Sequence, residues 1–246
     1  MENSEFLKRI DDLSDRADRR GVLTKTAFLT AAEQAQLRQY YRGDRLLLSG
    51  GQPDCERQIA FFLPAYLEPD ELDLSEHIRA VRIEAHFGVP GHRDYLGAIL
   101  GLGVRREALG DLRIFDATAY VFCLPAVQTL LLDELNKVGR FGVTVTDVAL
   151  SGVPAPIIRV KTHTCTVKSL RLDAVAAAIF GMSRTSAADM VCMGAAKLND
   201  LPCERTDAPI KEGDVISLRG HGKGRLNSIG AHSKKDRIFI ETELYI

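Results

Sequence analysis

Two short apolar repeats at helical spacing, separated by a glycine and a serine, constrain this chain most tightly. Leu172, Val175, Ala176 and Ile179 fall on one helix face, and Ala187, Met190 and Val191 repeat the spacing. Between them Gly181 is suited to end a helix in the left-handed region, and Ser183 offers the side-chain oxygen that caps the next. The pair is therefore a helix-turn-helix with a very short link, closed by Gly194. Strand-forming segments follow at 196–199, at 215–219 after the turn Lys211-Glu212-Gly213-Asp214, and at 237–246. Residues 220–225, Gly-His-Gly-Lys-Gly-Arg, are expected to form a flexible basic loop.

Upstream, Phe6, Ile10, Leu13 and Ala17 mark a first helix that Gly21 stops, and Thr30 with Glu33 forms a capping box for a second helix running to Tyr41. A strand at 45–49 and a turn at 50–53 precede an apolar stretch, 55–63, whose period does not decide between helix and strand. Pro64, Pro69 and the acidic, polar segment 70–77 mark a boundary. Beyond it come a strand at 78–87, a helix at 93–102, two strands within 112–124 joined near Asp116, a helix from Pro125 to near Gly139 and a strand at 141–150. This β-α-β-β-α-β order predicts a small sandwich of helices on a mixed sheet. Ser151-Gly152-Val153-Pro154-Ala155-Pro156 marks a second boundary. The expected fold class is α+β: an N-terminal helical and mixed domain at 1–75, an α/β domain at 76–156 and a helix-turn-helix domain with a closing strand at 165–246.

The absence of any apolar run near the ~20 residues that span a bilayer, together with the acidic start Met1-Glu2-Asn3-Ser4-Glu5, leads to an expected cytoplasmic location. Five scattered cysteines, Cys55, Cys123, Cys165, Cys192 and Cys203, lack metal or redox spacing and are expected as reduced thiols. His163 and Cys165 alone do not supply four zinc ligands, so neither a metal nor another cofactor is expected. The formal net charge of −1 conceals an asymmetry: from residue 161 onward 13 basic residues face 10 acidic ones, leaving −4 for the rest. Within 215–237, Arg219, Lys223, Arg225, Lys234, Lys235 and Arg237 are opposed only by Asp236, with His221 and His232 interleaved. Such a run fits either a phosphate-facing surface or a solvated loop.

The succession Arg171-Leu172-Asp173, Ser183-Arg184, Gly194-x-x-Lys197-Leu198-Asn199, Gly213-Asp214-Val215-Ile216 and Arg219-Gly220 resembles the S4 RNA-binding domain. The resemblance implies a compact module whose two helices meet structured RNA. Arg171, Ser183, Arg184, Lys197, Arg219, Lys223 and Arg225 are its candidate RNA-binding residues. Physical chemistry agrees: a helix start at Ser183 presents free amides, and Arg184 adds a forked donor suited to phosphate. Arg171 is expected to share that face, with Lys197, Arg219, Lys223 and Arg225 extending it along the sheet edge. Asp173 fits either an ion pair or hydrogen bonds within the fold. The chain departs from the S4 pattern at Thr185, Ser186 and Ala187, where a further basic residue is usual, and at Asn199-Asp200, where Asn-Gly is usual.

Gly50-Gly51 followed by Glu56-Arg57, then the segment 91–103 (Gly-His-Arg-Asp-Tyr-Leu-Gly-Ala-Ile-Leu-Gly-Leu-Gly), and then the S4-like end, resemble the bacterial YlmH family over most of the chain. That resemblance implies an RNA-binding middle domain, ribosomal and transfer RNA as partners, and a role in ribosome-associated quality control on stalled large subunits; a link to cell division is ranked below it. His92-Arg93-Asp94 matches a kinase catalytic loop only in part, since Ile99 stands where that loop needs asparagine. His92 and Arg93 at a helix start are instead a possible second RNA contact or a structural cap. Gly97, Gly101 and Gly103 lack dinucleotide-fingerprint spacing, and Phe115, Tyr120 and Phe122 fit core packing better than base stacking. No nucleophile-base pair stands out, so no catalytic residue is assigned and a binder is favoured over an RNA-modifying enzyme such as a pseudouridine synthase.

Overall fold

The computed structural model describes residues 2–157, 159–233 and 236–246, and the chain divides into two compact units, 1–156 and 157–246. Lys234 and Lys235 of the basic run lie outside the described residues.

The first unit begins with α1 (Glu2–Arg20), β1 (Thr24–Leu29), α2 (Ala31–Tyr40), β2 (Leu46–Ser49) and β3 (Gln58–Phe62), the strands pairing in the order β1-β3-β2. The capping box forms as the sequence implies: Thr30 N–H donates to Glu33 Oε2 at 2.7 Å, and Glu33 N–H to Thr30 Oγ1 at 3.3 Å. Strand β1 is an addition to the expected elements. The ambiguous 55–63 stretch contains β3, and its lack of alternation has a physical cause. Ile59 and Phe61 pack into one core with Phe28 and Ile78, while Ala60 and Phe62 pack into another with Ile10 and Leu37, so both strand faces are buried.

The same unit continues with β4 (Arg79–Ala85), α3 (His92–Gly101), β5 (Leu109–Phe115), β6 (Thr118–Cys123), α4 (Pro125–Glu134), β7 (Lys137–Val138) and β8 (Phe141–Val148). The strand order is β5-β6-β4-β8-β7, and the sheet expected to be mixed is antiparallel throughout. The helix from Pro125 stops at Glu134, short of the expected Gly139, because Gly139 at φ 57° turns the β7–β8 hairpin. One sheet face, with Val81, Ile83 and Val121, packs under Tyr95 and Ile99 of α3 and Leu131 of α4. The other face, through Ala80 and Phe122, joins the Phe28, Ile59 and Phe61 core. Residues from both sides of position 75 therefore share one core.

Two buried or half-buried arginines lock this unit. Arg113 donates to Asp54 Oδ1 at 3.0 Å and to the Pro154 carbonyl at 2.9 Å, with its guanidinium 4.9 Å from the Phe122 ring centroid. Arg57 donates through Nε to the Leu109 carbonyl at 3.0 Å and through Nη2 to the Phe28 carbonyl at 2.8 Å. Gly50 leaves no room for a side chain, since a Cβ there would lie 2.4 Å from the Arg57 carbonyl. The Gly50-Gly51 and Glu56-Arg57 signature thus builds the fold.

The second unit comprises β9 (Val160–Val167), α5 (Leu172–Phe180), α6 (Arg184–Cys192), β10 (Ala196–Leu198), β11 (Leu201–Pro202), β12 (Val215–Leu218), β13 (Gly222–His232) and β14 (Ile238–Tyr245). One antiparallel sheet, β11-β10-β12-β13-β14-β9, carries both helices on one face, around Leu172, Val175, Ile179, Ala187, Val191, Ile216 and Leu226. Gly181 ends α5 at φ 65°, and Ser183 caps α6 by accepting from Ser186 N–H at 3.0 Å. Of the expected flexible loop at 220–225, Gly220 and His221 form a turn and the rest opens β13, with Lys223 paired to Ser217 and Arg225 to Val215. The glycines explain the difference. Gly220 and Gly222, at φ 82° and 101°, make the turn, while a Cβ on Gly224 would stand 2.4 Å from Ile179 Cγ2, so this glycine admits α5 onto the strand.

Candidate nucleic-acid interface

Asp173 is the centre of the helix-turn-helix surface. Its amide donates to the Thr206 carbonyl at 3.0 Å and that of Leu172 to the Ala208 carbonyl at 2.9 Å, which holds the first turn of α5 in place. The Asp173 side chain is only 7% exposed. Its Oδ2 accepts from Arg184 Nε at 3.0 Å and Nη2 at 2.9 Å, and Arg171 Nε lies 3.5 Å from its Oδ1. One carboxylate thus fixes the Arg184 guanidinium by two hydrogen bonds and attracts that of Arg171 by charge, leaving Arg171 Nε and its own Oδ1 without a hydrogen-bond partner among the described residues. The arginine side chains remain 42% and 49% exposed, so the pair presents an oriented positive surface to solvent. Ser183 has a shaping role: its hydroxyl lies 2.8 Å from that of Ser186 and accepts from the Ser186 amide.

The other candidates are distributed differently from the expected single surface. Lys197, Ser217 and Lys223 stand in one cross-strand row, and Arg225 follows Lys223 two residues on. Their neighbours Ala196, Ile216, Leu218 and Gly224 face α5 and α6 and are buried. By the two-residue alternation of strands, Lys197, Lys223 and Arg225 lie on the sheet face turned away from the helices. Lys223 Nζ lies 3.6 Å from Asp200 Oδ1, and Arg225 pairs across the sheet with Glu243. Arg219 is exposed at the β12–β13 turn, where its amide donates to the Ala195 carbonyl at 3.0 Å and the His221 ring lies 6.3 Å from that of Phe180. The structure brings Arg171 and Arg184 together and sets Lys197, Lys223 and Arg225 apart from them.

In the first unit His92 and Arg93 are exposed in the first turn of α3, and Asp94 accepts from the Gly91 amide at 2.8 Å. The preceding loop carries Phe87 and Val89 at 61% and 66% exposure. The Phe87 ring meets that of Phe141 edge-on at 5.7 Å, and the Arg140 guanidinium stands 5.2 Å from the Phe141 centroid. The expectation at 91–103 missed this apolar, basic surface; the run Phe87-Gly88-Val89-Pro90 was its available signal. Phe122 is fully buried, and Phe115 packs edge-on against Tyr120 at 5.8 Å.

Among the described residues no cluster of three or more His, Cys, Asp or Glu side chains could hold a metal, and no helix is long and apolar enough to cross a membrane. Burial pushes the Cys55 thiol up to about 11 and that of Cys123 up to about 12, so both stay protonated at neutral pH.

Residues 69–152 match the family described as "Putative RNA-binding domain in YlmH". Ribosome-associated protein quality control protein P2 of Bacillus subtilis (strain 168) is 34% identical over 193 residues, which are 78% of this chain and 75% of that protein. The chain belongs to the YlmH family. A solved structure, cell division protein ylmH from Streptococcus pneumoniae, aligns at 21% identity and a TM-score of 0.47, covering 61% of this chain and 88% of that one. The YlmH match at 69–152 spans the five-stranded sheet with α3 and α4, so His92, Arg93, Phe87 and Arg140 all fall inside it. Arg171 and Arg184 lie beyond it, in the second unit.

Proposed function

We propose that this protein is a non-catalytic binder of structured ribosomal or transfer RNA, acting in the cytoplasm on stalled large ribosomal subunits. The observation that carries this is the Arg171–Asp173–Arg184 constellation at the helix-turn-helix. A buried acid that orients Arg184 by two hydrogen bonds and draws Arg171 beside it by charge suits phosphate recognition, because two half-exposed guanidiniums are gathered before RNA arrives. In this reading the second unit is an S4-type domain, with Ser183 shaping the helix start and Arg219 contributing from the β12–β13 turn. Lys197, Lys223 and Arg225 would meet RNA only from the opposite sheet face. His92 and Arg93 would form a second contact, supported by the family's description as RNA-binding. The name of the Bacillus subtilis relative, ribosome-associated protein quality control protein P2, supports the quality-control setting.

The test is equilibrium binding to large subunits and to ribosomal RNA over a salt series. Affinity is expected to fall steeply with salt, and Arg184→Gln and Arg219→Gln are each expected to reduce the slope by roughly one unit. Unchanged affinity in the double variant would overturn the assigned surface. Mass spectrometry of ribosomal RNA incubated with the protein is expected to show no new modification, and a modified nucleotide would overturn the non-catalytic assignment.

A further inference from the structure

The second unit also carries a cleft of about 370 Å³ between β9, α5 and the start of α6. Its apolar lining, which we take as its floor, is Ala174, Ala177 and Ala178 of α5 with Val167 and Met182. Among the described residues Lys168, Arg184 and Arg237 line it with positive charge and no carboxylate does. Two of these cations are held in place from different sides. Asp173 grips Arg184 from the helix side, as described above. On the strand side Arg237 donates through Nε to Thr166 Oγ1 at 2.8 Å and through Nη2 to the Thr166 carbonyl.

A hollow with an apolar floor and fixed guanidinium forks selects a ligand with one flat, weakly polar part and one anionic part. A phosphate accepts from the guanidinium N–H groups that Asp173 and Thr166 leave open. A planar base can lie on alanine methyl groups, where longer side chains would fill the space. The volume falls at the low end of the roughly 300–1,000 Å³ typical of small-ligand sites, too little for a helix or strand of another protein.

We infer that this cleft receives a single unpaired nucleotide of a structured RNA, with its base against Ala174, Ala177 and Ala178 and its phosphate between Arg184 and Arg237. The inference rests on the RNA-binding function proposed above and adds a preference to it. Extracting a paired base sacrifices its stacking and pairing, whereas a bulged base is already available. The protein therefore selects RNA helices interrupted by an unpaired nucleotide over continuous ones.

The experiment measures fluorescence anisotropy of the full chain with two hairpin RNAs of one stem sequence, fully paired or carrying one unpaired adenosine. The unmodified protein is expected to bind the bulged hairpin at least about tenfold more tightly. Ala178→Phe, which fills the floor, is expected to bring the ratio of the two affinities close to one, with far-UV circular dichroism confirming the fold. Lys168→Gln, at an exposed position, provides an independent variant and is expected to lower the ratio several-fold. Equal binding of both hairpins by the unmodified protein, or a ratio unchanged in both variants, overturns the cleft assignment while leaving RNA binding intact. Failure to bind either hairpin overturns the RNA-binding function and the cleft with it.

Discussion

Gly224 shows how a single residue's meaning depends on what packs over it. In the sequence it belongs to a glycine-rich basic run, as a phosphate-approaching loop would. In the fold its missing Cβ is the space occupied by Ile179, and the Glu243 carbonyl would stand 2.8 Å from any Cβ placed there. Gly224→Ala is therefore expected to destabilise the protein by about 1–3 kcal/mol, the usual cost of overpacking, measured as a lower urea midpoint. Asp173 makes the complementary case. Asp173→Asn keeps the size but weakens the acceptor of the Arg184 fork, and is expected to cost about 1.5 kcal/mol, the lower end for hydrogen bonds to charged groups because the arginines remain half exposed. RNA affinity in the same variant is expected to fall as Arg184 loses its anchor; full affinity would separate the ion pair from binding.

At the scale of elements, local signals predicted best where the structure needed only local chemistry. The Thr30–Glu33 box, the Gly181 stop and the Ser183 cap all depend on residues within four positions of one another. Strands were harder, because β3 is buried on both faces and β13 begins inside an apparent loop. The β10–β11 hairpin combines both lessons. Asn199 and Asp200 both adopt positive φ, 50° and 66°, the pattern of a two-residue turn that favours Asn-Gly. The departure at Asp200 therefore keeps the hairpin at a conformational cost. Asp200→Gly is expected to raise stability by up to about 1 kcal/mol, read from the denaturation midpoint, while removing the acid beside Lys223. A lower midpoint would show that the Asp200–Lys223 pair outweighs the backbone strain.

At the scale of the whole molecule, core membership predicts what can fold alone. Among the described residues, the second unit's core draws on positions between 165 and 244. A fragment of residues 157–246 is expected to fold cooperatively, with one sigmoidal thermal transition by circular dichroism. Residues 1–75 alone are expected to remain largely unfolded, because Phe28, Ile59 and Phe61 need Ile78, Ala80 and Phe122 to complete their core. Chain order by itself established the helix-turn-helix, the capping chemistry, the α+β class and the likeness to the YlmH family, since each depends on residue type and short spacing. Only the tertiary structure decided that Arg171 and Arg184 converge on Asp173 while Lys197, Lys223 and Arg225 occupy the other sheet face. The reason is register: a one-residue change in strand pairing turns every side chain over, and that pairing is set by distant partners.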